Sequence, residues 1–193
     1  MKIIFSLAIT SLIAMTGLLS QSYDIAESPP EMSITGTSTL HEWTVEASQI
    51  NDYPSSITID EDQLVIDAFS FSVDIESMDG GRGPAMNNKI KKALLSHTHP
   101  VVSYSQVERI SLNLISGEEV AFTTKGKLDI AGQSESVDVS CTALLSGDTI
   151  KISGSRSLKM TDFDIAPPTA MFGQIKTNDD IVVHFTFTYQ NSK

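Results

Sequence analysis

Val120-Ala121-Phe122-Thr123-Thr124-Lys125-Gly126-Lys127-Leu128-Asp129-Ile130 is the stretch that decides the fold class. Val120, Phe122, Thr124, Gly126, Leu128 and Ile130 fall on one side of an alternation; Thr123, Lys125, Lys127 and Asp129 fall on the other. Successive side chains of an extended chain point to opposite faces, so a period of two describes a strand with one apolar and one wet face. Ala131-Gly132-Gln133-Ser134 then supplies a turn. The alternation resumes with Val137, Val139, Cys141, Ala143 and Leu145 against Ser136, Asp138, Ser140 and Thr142. Ser146-Gly147-Asp148 turns the chain again before Ile150, Ile152 and Gly154. The strongest run comes last: Ile181, Val183, Phe185, Phe187 and Tyr189, with His184 on its wet side.

The same reading upstream predicts strands over Met32–Thr37, Trp43–Ala47, Ser56–Asp60, Leu64–Glu76, Val101–Val107 and Ile110–Ile115. Within Leu64–Glu76 the apolar phase slips, from Leu64, Ile66 and Ala68 to Phe69, Phe71, Val73 and Ile75. A slip of one residue turns an apolar set outward unless a bulge absorbs it, so a bulge or bend is expected near Ala68. Pro84 to Leu95 carries Met86, Ile90, Ala93 and Leu94 at helical spacing, with Pro84 placed for the first turn. Met160–Lys176, with Pro167-Pro168 and Gly173, is too interrupted for either regular element. Antiparallel strands with tight turns and one short helix predict an all-β barrel or sandwich.

Residues 1–22 stand apart. Lys2 precedes an apolar run from Ile3 to Leu19 that is diluted by hydroxyls, and Ser20-Gln21-Ser22 offers a small-x-small cleavage site. That layout predicts a signal peptide over 1–22, a mature domain over 23–193, and export to a periplasmic or extracellular space. The competing reading is a membrane anchor, since the run approaches the ~20 residues a span requires. Cleavage removes Lys2 alone among charged residues, taking the net charge from −11 to −12. Such an acidic chain lacks the basic face that nucleic acid requires, and electrostatics oppose docking on an anionic membrane. A single cysteine excludes an internal disulfide, so burial must hold the fold.

Reactive constellations are scarce. There is no Gly-x-Ser-x-Gly elbow, no His-Glu-x-x-His helix and no phosphate-cradling glycine loop, and no enzyme activity is expected. Asp60-Glu61-Asp62 and Asp179-Asp180 read as solvated turns. On a strand His97 and His99 would share one face and could bind zinc or copper; the other reading is a surface loop closing the helix, and with no cysteine nearby to supply a third ligand neither a metal nor another cofactor is expected. Asp162 in Thr161-Asp162-Phe163 is a candidate loop cap, with Phe163 plugging a barrel end. His41-Glu42-Trp43 reads either as a ligand-facing mouth or as a corner anchored by Trp43.

A barrel of about eight strands either fills its lumen or holds one small ligand. Small residues sit in the middle of the apolar faces: Thr124 and Gly126, Cys141 and Ala143, then Gly154. Left unfilled, they would make an apolar void, at ~24 cal/mol per Å³. Larger residues elsewhere could fill the same space, and periodicity leaves both readings open.

Four segments resemble the YceI-like family of secreted lipid-binding proteins. They are Gly36-Thr37-Ser38-Thr39-Leu40-His41-Glu42-Trp43; Lys89 to Pro100 with the following Val-Val-Ser-Tyr; Thr124 to Gly132; and Leu158 to Phe163 running on to Pro167-Pro168 and Gly173. One departure stands out: many members carry an Arg-Asp pair before the helix, whereas Arg82 here is followed by Gly83. The resemblance implies an extended lipocalin-like antiparallel barrel enclosing a long isoprenoid or other amphiphile such as a fatty acid, without catalytic residues. Expected to line it are Trp43, Phe71, Val73, Phe122, Gly126, Cys141, Ala143, Phe163, Phe185 and Phe187. The alternative is a filled-core barrel serving as an envelope-stress or protein–protein module. An exposed edge strand would allow a homodimer.

Overall fold

The computed structural model describes residues 20–51, 56–60 and 63–192. The leader expected over 1–22 lies outside the described residues up to position 19, as do Glu61 and Asp62 of the acid run. Among the described residues no helix is long and apolar enough to cross a membrane.

The strands are β1 (Gln21–Ile25), β2 (Glu31–Ser38), β3 (Glu42–Ala47), β4 (Ile50–Asn51), β5 (Ser56–Asp60), β6 (Gln63–Ala68), β7 (Ser70–Asp74) and β8 (Met78–Asp79). After helix α1 (Pro84–Ala93) come β9 (Val101–Gln106), β10 (Ile110–Asn113), β11 (Glu119–Ile130), β12 (Gln133–Ser146), β13 (Thr149–Lys159), β14 (Thr169–Ala170) and β15 (Ile175–Asn191). Every pairing is antiparallel. Fifteen segments exceed the expected eight for two reasons: breaks divide two continuous runs, β3 leading into β4 across two residues and β7 joined to β8 by a 3-10 turn at Ile75–Ser77, and five strands, β1, β5, β6, β10 and β14, lie outside the main ladder. Counted as runs, the ladder passes β2, β3–β4, β7–β8, β9, β11, β12, β13 and β15, then returns to β2. The pairs of β3 with β8 and β4 with β7 bring the sheet round to meet itself.

β15 is seventeen residues long and changes partners along one edge. Its first half pairs with β2 and its end with β1, from which β5, β6 and β10 continue the wall. The barrel is thereby lengthened at the end where β1 lies. Gln21 and Ser22 belong to β1, opposite Ile59 and Thr58, so the first strand begins two residues before the expected domain boundary.

The phase slip has a visible cause. Ser56 pairs with Ala68 but Ile57 pairs with Ile66, leaving Asp67 as the extra residue of a bulge. Asp67 turns outward to an ion pair with Arg109 at 3.1 Å. Phe69, buried, then restarts the inward phase that Phe71 and Val73 continue. The predicted turn after Ile130 is a two-residue hairpin in which both Ala131 (φ 51°) and Gly132 (φ 85°) are left-handed.

Candidate ligand-binding cavity

One register belt divides the barrel in two. Phe122 pairs with Cys141, Cys141 with Gly154, Gly154 with Phe185, Phe185 with Met32, and Met32 with Ala47. Below this belt, toward β1, lie Ala143, Ile150, Phe187 and Tyr189, each wholly buried. Above it a cavity of about 330 Å³ opens, with a lining that is almost entirely apolar. Its walls include Ile34 and Val45 on β2 and β3, Val137 and Val139 on β12, Leu158 on β13, and Ile181 and Val183 on β15.

The floor is a packed group of rings from Phe69, Phe71, Tyr104, Phe185 and Phe187. Phe69 meets Phe187 edge-on with centroids 5.1 Å apart, and Phe71 stacks on Tyr104 at 5.6 Å and 24°. These separations fall in the favourable range for aromatic pairs. The small residues expected to leave a void are what make room for these rings. A Cβ on Gly126 would lie 2.2 Å from Cζ of Tyr104, and one on Gly154 would lie 2.3 Å from Cζ of Phe185. The Tyr104 hydroxyl is satisfied by Thr124 at 3.0 Å. Burial raises the Tyr104 pKa, partly offset by that hydrogen bond. Burial pushes the Cys141 thiol up to about 12, as expected for inert packing.

Of the ten lining residues expected from sequence, Trp43, Phe71, Val73, Phe163 and Phe185 are brought together on the cavity wall. Phe122 and Cys141 sit on the dividing belt, Ala143 and Phe187 in the filled half below it, and Gly126 lies beneath the Tyr104 ring. Periodicity finds the inward face but gives no height along the barrel axis. The height comes from register, which is settled only when the strands pair.

Helix α1 covers part of the cavity. Met86, Ile90 and Ala93, at i, i+4 and i+7, face it, and no helix residue is fully buried. The helix is seated by Met86 lying over Gly80, where a Cβ would come within 2.5 Å of Met86 Cγ, and by the Gly80 N–H donating to Asn87 Oδ1 at 3.0 Å. A second cover is the 3-10 turn Met160–Phe163, with Phe163 buried. Its cap is Asp179, not Asp162: the Thr161 N–H and hydroxyl donate to the two Asp179 carboxylate oxygens at 2.9 and 2.6 Å. These bonds hold the Asp179 pKa below the ordinary aspartate value. Asp162 is exposed.

Trp43 lies flat across the strand on Gly36, whose Cβ would meet its ring at 2.3 Å, and its indole N–H donates to the Thr37 carbonyl at 3.1 Å. The ring therefore combines a corner anchor with a place on the cavity wall. His41 lines the same wall, its Nδ1 2.8 Å from the Glu42 carbonyl oxygen. His99 packs on the hairpin turn, within 2.7 Å of where a Gly132 Cβ would stand. Among the described residues no three His, Cys, Asp or Glu side chains gather as a metal site would need.

A polyisoprenoid-binding domain from Saccharophagus degradans, implicated in plant cell wall breakdown, superposes with a TM-score of 0.62 at 15% identity over 89% of this chain and 98% of the other. Burkholderia cenocepacia BcnA gives 0.63 at 16% identity over 86% and 99%, and a Campylobacter jejuni YceI protein 0.54 at 18% over 75% and 85%. At such identities the likeness establishes the fold alone. No curated protein sequence matches the chain. The model of the YceI-like domain, however, matches residues 23–189, nearly the whole of the barrel, and the chain belongs to the YceI-like domain family.

Proposed function

We propose that this protein is a non-enzymatic carrier that encloses a long apolar or amphiphilic molecule, isoprenoid or fatty-acid-like, in the upper half of its barrel. The observation that carries the reading is the apolar cavity of about 330 Å³ above the aromatic floor. That size falls within the roughly 300–1,000 Å³ of small-molecule sites. Each methylene moved from water into it contributes about 0.8 kcal/mol, so a hydrocarbon tail binds without directional contacts. The neighbour described as a polyisoprenoid-binding domain supports the same ligand class. The leader-like layout of residues 1–22 supports export, and the carrier needs no cofactor for its task. A fully filled core, as the interaction-module alternative requires, describes only the half below the belt.

Native mass spectrometry and solvent extraction of the purified chain test this directly. A co-purifying lipid, or uptake of an added polyprenol or fatty acid, is the expected result. A barrel that stays empty and takes up neither refutes it.

A further inference from the structure

The chain has 24 acidic residues against 13 Lys and Arg, yet among the described residues the cavity is lined by Arg82, Lys89, Arg156 and Lys159 and by no Asp or Glu. All four cations are also exposed, which places them where the cavity meets solvent. Arg156 differs from the others in its phase. It sits between Gly154 and Leu158 on the inward face of β13, opposite the cavity-lining Val183. Because Arg156 is exposed, its stem follows the inward phase while its charge stays at the mouth of the cavity.

The wall opens at the same place. β12 and β13 are paired from Ser146 and Thr149 as far as Ser140 and Ser155. Beyond that point β12 continues with β11 to Gln133, and β13 continues with β15 to Lys159. The seam between them holds a polar cleft of about 210 Å³. Val137, Arg156, Leu158 and Phe163 line both this cleft and the cavity, so the two share a wall. Glu135 and Asp162 also line the cleft, and Lys159 lies near enough to Asp179 to help lower its pKa. Among the described residues no carboxylate forms an ion pair with Arg156.

We propose that the amphiphile held in the cavity carries an anionic headgroup, a carboxylate or a phosphate, and that Arg156 holds it at the seam where β12 and β13 part. This rests on the carrier reading and adds the headgroup class and its position. The guanidinium fork matches either oxyanion, and the tail would run inward past Leu158 and Val183 toward the aromatic floor.

The test titrates the delipidated full chain with laurate, dodecyl phosphate and 1-dodecanol, which share one tail length, at low and high salt. Hydrogen bonds to charged groups imply that an anion binds about tenfold or more tighter than the alcohol. High salt should narrow that gap, since the site is open to solvent. Arg156→Gln should bring anion and alcohol to within about twofold, while Lys151→Gln, on the outward phase of the same strand, should leave the preference intact. The order of laurate and dodecyl phosphate tells which oxyanion the site takes. Equal binding of all three lipids, or a preference that survives Arg156→Gln, overturns the proposal while leaving the carrier standing. If none of the three binds while an added polyprenol is taken up, the headgroup proposal falls alone; if the polyprenol is refused as well, the carrier reading falls with it.

Discussion

Replacing Gly126 by alanine should damage this protein more than a single added methyl ordinarily would. The new Cβ would stand 2.2 to 2.4 Å from Cζ, Cε2 and Oη of Tyr104, where carbon contacts settle at about 3.5–4.0 Å. The ring must therefore shift by more than about 1 Å. Around it there is little freedom: Phe71 stacks on it, Phe69 packs at 6.0 Å, and its hydroxyl is tied to Thr124. Overpacking of this kind costs roughly 1–3 kcal/mol, and orphaning a buried hydroxyl adds about as much. A total loss of about 2–6 kcal/mol follows, or roughly 4–24 °C in Tm for a chain of this size. Urea unfolding followed by the emission of Trp43, the chain's one tryptophan, measures it. The Tyr104→Leu variant provides the control, because removing the ring makes room for the methyl. The two changes should then couple by at least about 1 kcal/mol in a double-mutant cycle. A Gly126→Ala protein within ~0.5 kcal/mol of the parent, or strictly additive losses, would refute the ring-over-glycine arrangement. Because the open direction for the displaced ring is the cavity above, the same variant should also hold less lipid.

Three further outcomes follow from the geometry. With its thiol pushed up to about 12, Cys141 should resist a thiol reagent near pH 8 in the folded state and react readily once urea opens the barrel; prompt stoichiometric labelling of the native protein would contradict its burial. The folded pKa of Asp179 is lowered, so its stabilisation is complete above the ordinary aspartate value of about 3.9 and is lost as pH falls through the lower folded value. Asp179→Asn should accordingly lower Tm at neutral pH, with the difference from the parent shrinking in acid; a constant difference down to the acid limit would show that the cap is not electrostatic. At the β11–β12 turn, Ala131→Gly relieves a left-handed alanine that costs about 1–2 kcal/mol, against a glycine entropy loss of roughly 0.5–1, and should raise Tm by a few degrees at most. Gly132→Ala should act in the opposite sense, since φ is +85° and the methyl would strike the His99 ring; matching signs for the two variants would exclude the turn as drawn.

Much of the architecture was legible because an alternating strand declares its own two faces. Every long run read from period two became a strand, and the phase slip near Ala68 located the bulge that leaves Asp67 unpaired. The helix was legible for the same reason at a different period, its three apolar cavity-facing residues spaced along one stripe. What the order of residues could not convey was position along the barrel axis. Cys141 and Val139 look equivalent as neighbours on one apolar face, yet one belongs to the dividing belt and the other to the cavity wall. Asp179 was similarly opaque, since an acidic pair near a strand reads as solvated until the 3-10 turn it caps is folded beside it. Arg156 did carry a signal that went unused: it keeps the inward phase of Ile150, Ile152 and Gly154, and a charge in that phase is a departure from pattern.

The two halves of the barrel depend on each other through that belt. A cavity inside a protein is unfavourable in proportion to its size, so its lower limit must be defended by something that cannot relax into it. Aromatic rings do this well because they are large and rigid, with few torsions to rearrange. Rings of that size cannot lie across a barrel whose facing positions also carry bulk, and glycine at 126 and 154 with cysteine at 141 supplies the clearance. The small residues thus fix the level at which the floor sits, and the floor fixes how deep a hydrocarbon tail can reach. Under the proposed carrier function, ligand length would be controlled from below the cavity: shortening Phe185 to leucine should deepen the pocket and favour longer tails. Altering the rim cations should change headgroup preference while leaving tail length alone. A Phe185→Leu protein that remains folded and binds a homologous series of fatty acids with the parent's length optimum would show that the floor lies elsewhere.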